Sequence, residues 1–247
     1  MLGEQGPGKR LHSIEVWVNP YPVAGEVHCV LGEREWTDAP AQGHRGLGVL
    51  VGGSMAIFHL VSWFAQHFPQ TLPSLIDGAL DTTQASGVVM PAPEGLNFGP
   101  PNLVPVEAAS GAIATATVGQ TVDALLDLFW KRHQSGVGSL TSPFGLRFCK
   151  AAEAHLSPSF HRDTCMIEVP TFQGTPGARA TLRAYHDFIY QNNNGRPHWG
   201  QINDMPGDRL ERLYPNLSKF LESYRVLNPK GFFDNAFTEQ MGFRLRA

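Results

Sequence analysis

Two groups of residues in this chain could do chemistry. The first is the run Arg196-Pro197-His198-Trp199-Gly200-Gln201, where an imidazole and an indole stand side by side behind a proline. Proline pushes its predecessor toward extended backbone, so the His-Trp pair leaves the Asn-rich turn before it in a stiff conformation. His198 can exchange a proton near neutral pH, and Trp199 can present a flat apolar wall. The second group is a pair of charges embedded in apolar strands. Arg147 lies between Leu146 and Phe148, and Glu168 between Ile167 and Val169. A charge in such a setting is either paired or aimed into a pocket. Arg147 and Glu168 are thus read as partners, in a structural ion pair or a catalytic one. His198-Trp199 is open to the same two readings, functional or packed.

Several other chemistries are excluded or disfavoured. His155 and His161 flank Ser157-Pro158, but no third ligand stands at helical spacing, so no metal is expected. No Gly-x-Ser-x-Gly elbow accompanies Ser157, which argues against a hydrolase. There is no Gly-rich dinucleotide fingerprint and no P-loop. Arg162-Asp163 reads as a pair that holds a turn.

The elements that must position these residues follow from periodicity. Ser13 to Asn19 alternates in the strand manner, with Glu26 to Arg34 as its hairpin partner. Gly145 to Lys150 and Asp163 to Phe172 are two more extended segments. Helices are expected over 72–80, 121–134, 175–192 and 217–226, each with an apolar stripe. Residues 88–112 are crowded with Pro, Gly and Asn, so they are expected to form a long loop, either a pocket wall or a surface excursion. Ala112 to Val118 reads as a weak strand or a helix lead-in. Hairpin-like strands mixed with helices predict an α+β fold, an antiparallel sheet flanked by helices. Residues 1–12 form a loose arm and 13–247 a single domain.

Composition narrows the class. The 247 residues are 42% hydrophobic and only 17% charged, which favours a buried core. The net charge of −3 offers no field for nucleic acid. Three cysteines without C-x-x-C spacing argue against a disulfide scaffold, and no apolar leader is read at the start, so a reducing, cytoplasmic setting is expected. From Gly46 to Ile76 there is no Asp, Glu, Lys or Arg. Leu47 to Ala65 raises the question of a membrane span, but Gly52-Gly53-Ser54, His59 and Pro69 favour a buried strand (48–51) and a buried helix (54–68) capped by Ser54.

Four segments in order resemble flavin-linked oxidases of the vanillyl-alcohol-oxidase type, especially sugar-lactone and alditol oxidases. Residues 156–164, L-S-P-S-F-H-R-D-T, are similar to the family's L-S-P-A-Y-x-R-D-[ST]. Residues 195–201 resemble its R-P-H-W-G-K. Residues 213–235, from Leu213-Tyr214-Pro215 to Asp234-Asn235, resemble the closing Y-P…F…D-P-x-G-x-F-x-N. The strand from Ile14 to Pro22 looks like the one that opens the family's cap domain. Residues 46–135 share only a general likeness to the larger caps of sterol oxidases.

The resemblance implies a substrate-binding cap, with FAD held by a domain that precedes it in such oxidases. Here the cap-like strand begins at residue 13, so the flavin domain is expected on a separate chain. The family's Glu-x-Arg strand matches Gly145-Leu146-Arg147, keeping the arginine and losing the carboxylate. Glu168 stands where sugar-oxidase relatives have histidine, and Gln201 where they have lysine. The catalytic set implied is Arg147, Glu168, His198 and Gln201, with Trp199, Phe148 and Asn203 against the substrate. Asn235 and Arg196 would contact FAD if a flavin domain is supplied. Three functions follow: the cap portion of an FAD-linked alcohol oxidase with its flavin domain on another chain, a flavin-free enzyme using the pocket for acid–base or cyclisation chemistry, or a non-catalytic binding module. The expected ligand is a small, apolar metabolite. No nucleic-acid or membrane partner is expected, and a homo-oligomer is left open.

Overall fold

A computed structural model describes residues 10–40, 63–64, 66–82, 89, 91, 105–203, 205 and 207–243. Alternating apolar residues build six strands: β1 (Arg10–Val18), β2 (Cys29–Trp36), β3 (Val106–Ala114), β4 (Phe144–Cys149), β5 (Thr164–Phe172) and the two-residue β6 (Arg196–Pro197). They form one sheet in the order β2-β1-β4-β5-β3-β6, and every pairing is antiparallel. The fold is therefore α+β, an antiparallel sheet with helices.

One sheet face is apolar. Ile113 of β3, Leu146 of β4, and Cys165, Ile167 and Val169 of β5 are buried there. Against them pack α2 (Val118–Gln134) through Leu125 and Phe129, and α3 (Ala178–Asn192) through Leu182, Tyr185 and Ile189. An earlier helix, α1 (Leu72–Thr82), adds Leu72 and Ile76 to the same core. After β6 the chain forms α4 (Leu210–Leu213), α5 (Leu217–Leu227) and α6 (Ala236–Gln240).

The sequence reading needs two corrections here. Residues 106–112, expected inside a loop, form with Ile113 and Ala114 the strand second from the β6 edge, and all nine residues pair with β5. Prolines precede this strand rather than interrupt it, so its backbone donors remain available to the ladder. The opening strand begins at Arg10, within the segment expected to be an arm. The expected strand 48–51 and most of the helix 54–68 lie outside the described residues, as does the possible membrane segment apart from Trp63 and Phe64. Among the described residues no helix is long and apolar enough to cross a membrane.

Candidate functional site

The second sheet face carries a row of charges placed by strand register. Glu15 of β1 stands directly opposite Arg147 of β4, and Glu168 of β5 stands opposite Gly145, one step diagonal to Arg147. Side chains alternate between faces along a strand, so all three project from the face opposite the core. The Arg147 guanidinium donates through Nε to Glu15 Oε1 and through NH1 to Glu168 Oε2. Arg34, from β2, donates to Glu15 Oε2 at 3.1 Å. At the other end Gln201 Nε2 donates to Glu168 Oε1 at 2.6 Å. The row thus runs Arg34, Glu15, Arg147, Glu168, Gln201.

Burial decides what each member can do. The Glu15 side chain is only 6% exposed, whereas Arg147 is 39% exposed and Glu168 19%. Glu15 lies beneath, holding the guanidinium in place. Burial raises its pKa, but hydrogen bonds and charge from Arg147 and Arg34 outweigh that, so the carboxyl ends below its usual range. Burial likewise disfavours the Arg147 cation, yet Glu15 and Glu168 hold its pKa above the ordinary value. Arg147 also lies over the Trp17 ring, 5.6 Å from its centroid. Trp17 fills the space above Gly145, where an added Cβ would come within 3.0 Å of the indole. The position that lacks a carboxylate is thereby closed by an aromatic ring.

The predicted residues divide by place. Arg147, Glu168 and Gln201 come together. His198 stands beside the row: its backbone N–H donates to Ser110 O on β3, across from Glu168, and its ring is exposed. Asn203 follows, with Oδ1 accepting from Met205 N at 2.9 Å. Gln201 Oε1 and Asn203 Nδ2 are both buried without a hydrogen-bond partner among the described residues. Such atoms mark where a ligand's polar group or a water would bind.

The remaining four predicted residues are engaged elsewhere. Trp199 donates from Nε1 to Leu156 O at 2.7 Å and packs on Tyr214, Phe237 and Phe243. Its indole anchors the C-terminal segment rather than lining the charged row. Phe148 has the opposite strand parity to Arg147, on the side of Phe144 and Leu146, and is 38% exposed near the strand end. Arg196 is 8% exposed and donates to the carbonyls of Leu213, Pro158 and Phe160. Asn235 caps α6, its side chain accepting from Phe237 N and Thr238 N.

Sequence reading missed Glu15, Trp17 and Ser110. Glu15 carries the same signal that singled out Glu168, a carboxylate between two aliphatic residues on a strand. A cavity of ≈ 450 Å³ lined by Trp130, His133, Ser139 and Pro73 shares none of these residues and lies apart from the row. Among the described residues no group of His, Cys, Asp or Glu could hold a metal ion. His155 Nδ1 faces Asn216 and His161 Nε2 faces Glu153, so the two point to different partners.

The geometry fits a hydroxyl better than an anion. Arg147 spends two of its donors on carboxylates, and the cations of the row are matched by Glu15 and Glu168. A pyrophosphate needs surplus cations or a nest of backbone N–H groups, and among the described residues the row offers neither, so the row does not fit the nucleotide part of FAD. They fit a neutral alcohol, whose oxygen can accept from the guanidinium while its proton is donated to Glu168.

Residues 9–241 match the family described as D-arabinono-1,4-lactone oxidase. L-gulonolactone oxidase of Scyliorhinus torazame is 31% identical over 103 residues, covering 41% of this chain and 23% of that protein. The Mus musculus L-gulonolactone oxidase is 29% identical over 126 residues, covering 49% and 28%. The chain thus spans about a quarter of the length of the curated relatives it matches. Cholesterol oxidase from B. sterolicum shares the fold, with a TM-score of 0.59 at 14% identity, over 92% of this chain and 53% of that one.

Proposed function

We propose that this chain, which belongs to the D-arabinono-1,4-lactone oxidase family, supplies the substrate-binding portion of an FAD-linked alcohol oxidase. The observation that carries the reading is Arg147, held from below by Glu15 and from the side by Glu168 while over a third of its side chain stays open. Arg147 orients the alcohol oxygen. Glu168 accepts the hydroxyl proton: each of its oxygens has one protein partner, so each keeps a second lone pair. Trp17 and the half-buried Met166, the register partner of Arg147, give the substrate an apolar floor. An alcohol on an apolar body suits this surface better than a polyol, whose other hydroxyls would find the indole where a carboxylate is lacking.

The visible absorption spectrum tests this. The purified chain is expected to be colourless, and to stay so after incubation with FAD and desalting. Combined with a flavin-binding domain of the family it should become yellow and oxidise apolar alcohols. Glu168→Gln should then lower turnover by about 100-fold or more, the usual weight of a positioned base. A combined protein that binds FAD but oxidises no alcohol overturns the reading.

A further inference from the structure

On the helix side of the sheet, away from the charged row, the last turn of α2 and the start of α1 frame a cavity of ≈ 450 Å³, a size that takes a small molecule. Part of its wall is closely packed backbone. Segments 136–139 and 175–177 cross so tightly that a Cβ on Gly138 would meet Gly177 O at 2.3 Å, and one on Gly177 would meet Val137 O at 2.1 Å. The His133 ring is fixed as well. Its Nδ1 bonds Ser139 Oγ at 2.8 Å, and it packs on Trp130 and Tyr21, with ring centroids 5.6 and 4.5 Å away. Tyr21 is in turn tied to the Leu140 backbone, donating to its carbonyl and accepting from its N–H. Walls held in this way are preformed, which lowers the entropy lost when a ligand binds.

The lining selects by chemistry. Among the described residues it holds no Asp, Glu, Lys or Arg. Two cations at the end of α2 are turned to other partners, Lys131 to Asp127 and Arg132 to Thr181. Burial pushes the His133 pKa down, so its imidazole is neutral at neutral pH. A charged ligand would therefore find no counter-charge. Trp130 and the prolines Pro69, Pro73 and Pro176 supply an apolar wall. The amides of Gln66, Gln70 and Gln134 donate and accept alike. Thr175, only 7% exposed, keeps a buried Oγ1 without a hydrogen-bond partner among the described residues. A wholly apolar ligand would leave that hydroxyl and the amides unmatched. A neutral ring with a C–H face and hydroxyls at its rim matches both the apolar wall and the polar groups.

We propose that this cavity is a second ligand site that takes a neutral pyranose ring, with its C–H face on Trp130 and the prolines and its hydroxyls on Thr175, His133 and the glutamine amides. The site is separate from the charged row and does not depend on what the row binds. The probe is methyl β-D-glucopyranoside, whose equatorial hydroxyls leave both ring faces apolar. NMR titrations compare it with methyl β-D-glucuronide and with cyclohexanol, on the parent chain and on its variants. The dissociation constant expected for the glucoside is on the order of 1 mM, the range for a ligand of this size. The glucuronide and cyclohexanol should each bind about fivefold more weakly or worse, for want of a counter-charge and of hydroxyls. Thr175→Val should weaken glucoside binding by about fivefold or more, while the melting temperature holds or rises, because it removes an unsatisfied buried hydroxyl. Gln70→Ala, at an exposed position, is expected to weaken binding too and keeps the test decisive should Thr175→Val fold poorly. Glu168→Gln should leave the affinity unchanged. Absence of glucoside binding overturns the proposal. Equal binding of cyclohexanol or of the glucuronide overturns the assigned ligand class. Affinity that persists in Thr175→Val, or that is lost in Glu168→Gln, places the glucoside elsewhere and overturns the site.

Discussion

At the scale of single residues, the row depends on Glu15. It is the most buried of the charges, and it bridges Arg34 and Arg147. Its carboxyl is held below the usual range, so the linkage sign is fixed. The stabilisation is complete above the unfolded carboxylate pKa and is lost as pH falls through the lower folded value. Glu15→Gln should lower stability by about 1–2 kcal/mol near neutral pH, between the weights of exposed and buried pairs. It should also flatten the acid limb of a plot of melting temperature against pH. An unchanged acid limb would show that the pair carries no stability. Trp199 tests the opposite assignment. Trp199→Phe removes the bond to Leu156 O, so urea denaturation should show a loss of about 1 kcal/mol. Turnover of the assembled oxidase should stay within about twofold, since the indole lies among Tyr214, Phe237 and Phe243. A large loss of turnover without a loss of stability would return Trp199 to the substrate wall.

At the scale of elements, β3 explains why part of the sheet was illegible. Its sequence, V-E-A-A-S-G-A-I-A, is made of small residues with little intrinsic strand preference. Small residues are needed because α3 lies close against the strand. A Cβ on Gly111 would meet Ile189 Cγ2 at 2.6 Å and Tyr185 Oη at 3.2 Å. Tyr185 also accepts the Gly111 N–H at 2.8 Å and donates to Ile167 O at 2.6 Å, tying β3 and β5 to the helix. Gly111→Ala should therefore cost about 1–3 kcal/mol by overpacking. Adding Ile189→Val should restore part of it, read as a coupling in a double-mutant cycle of urea denaturations. Additive costs would show that the contact is not what excludes a side chain. The strands rich in β-branched and aromatic residues, β1 and β5, and all four amphipathic helices were legible because periodicity carries them. Strand β3 is specified by what packs on it, which no local window contains.

At the scale of the molecule, the sequence by itself determined the class and the family. Alternation and helical stripes gave an antiparallel α+β sheet, and the ordered motifs gave membership of the lactone-oxidase family, because both are properties of residues near one another in the chain. It also paired Arg147 with Glu168, since two embedded charges of opposite sign need each other. The tertiary structure decided the rest. It placed Glu15, 132 residues from Arg147, under the guanidinium. It gave Trp199, Arg196 and Asn235 partners outside the charged row, and left Phe232 and Phe233 exposed. Strand register and burial fix these roles. Both are set by contacts between distant segments, so the same residue types at the same spacing read as site or as scaffold until the sheet brings their neighbours together.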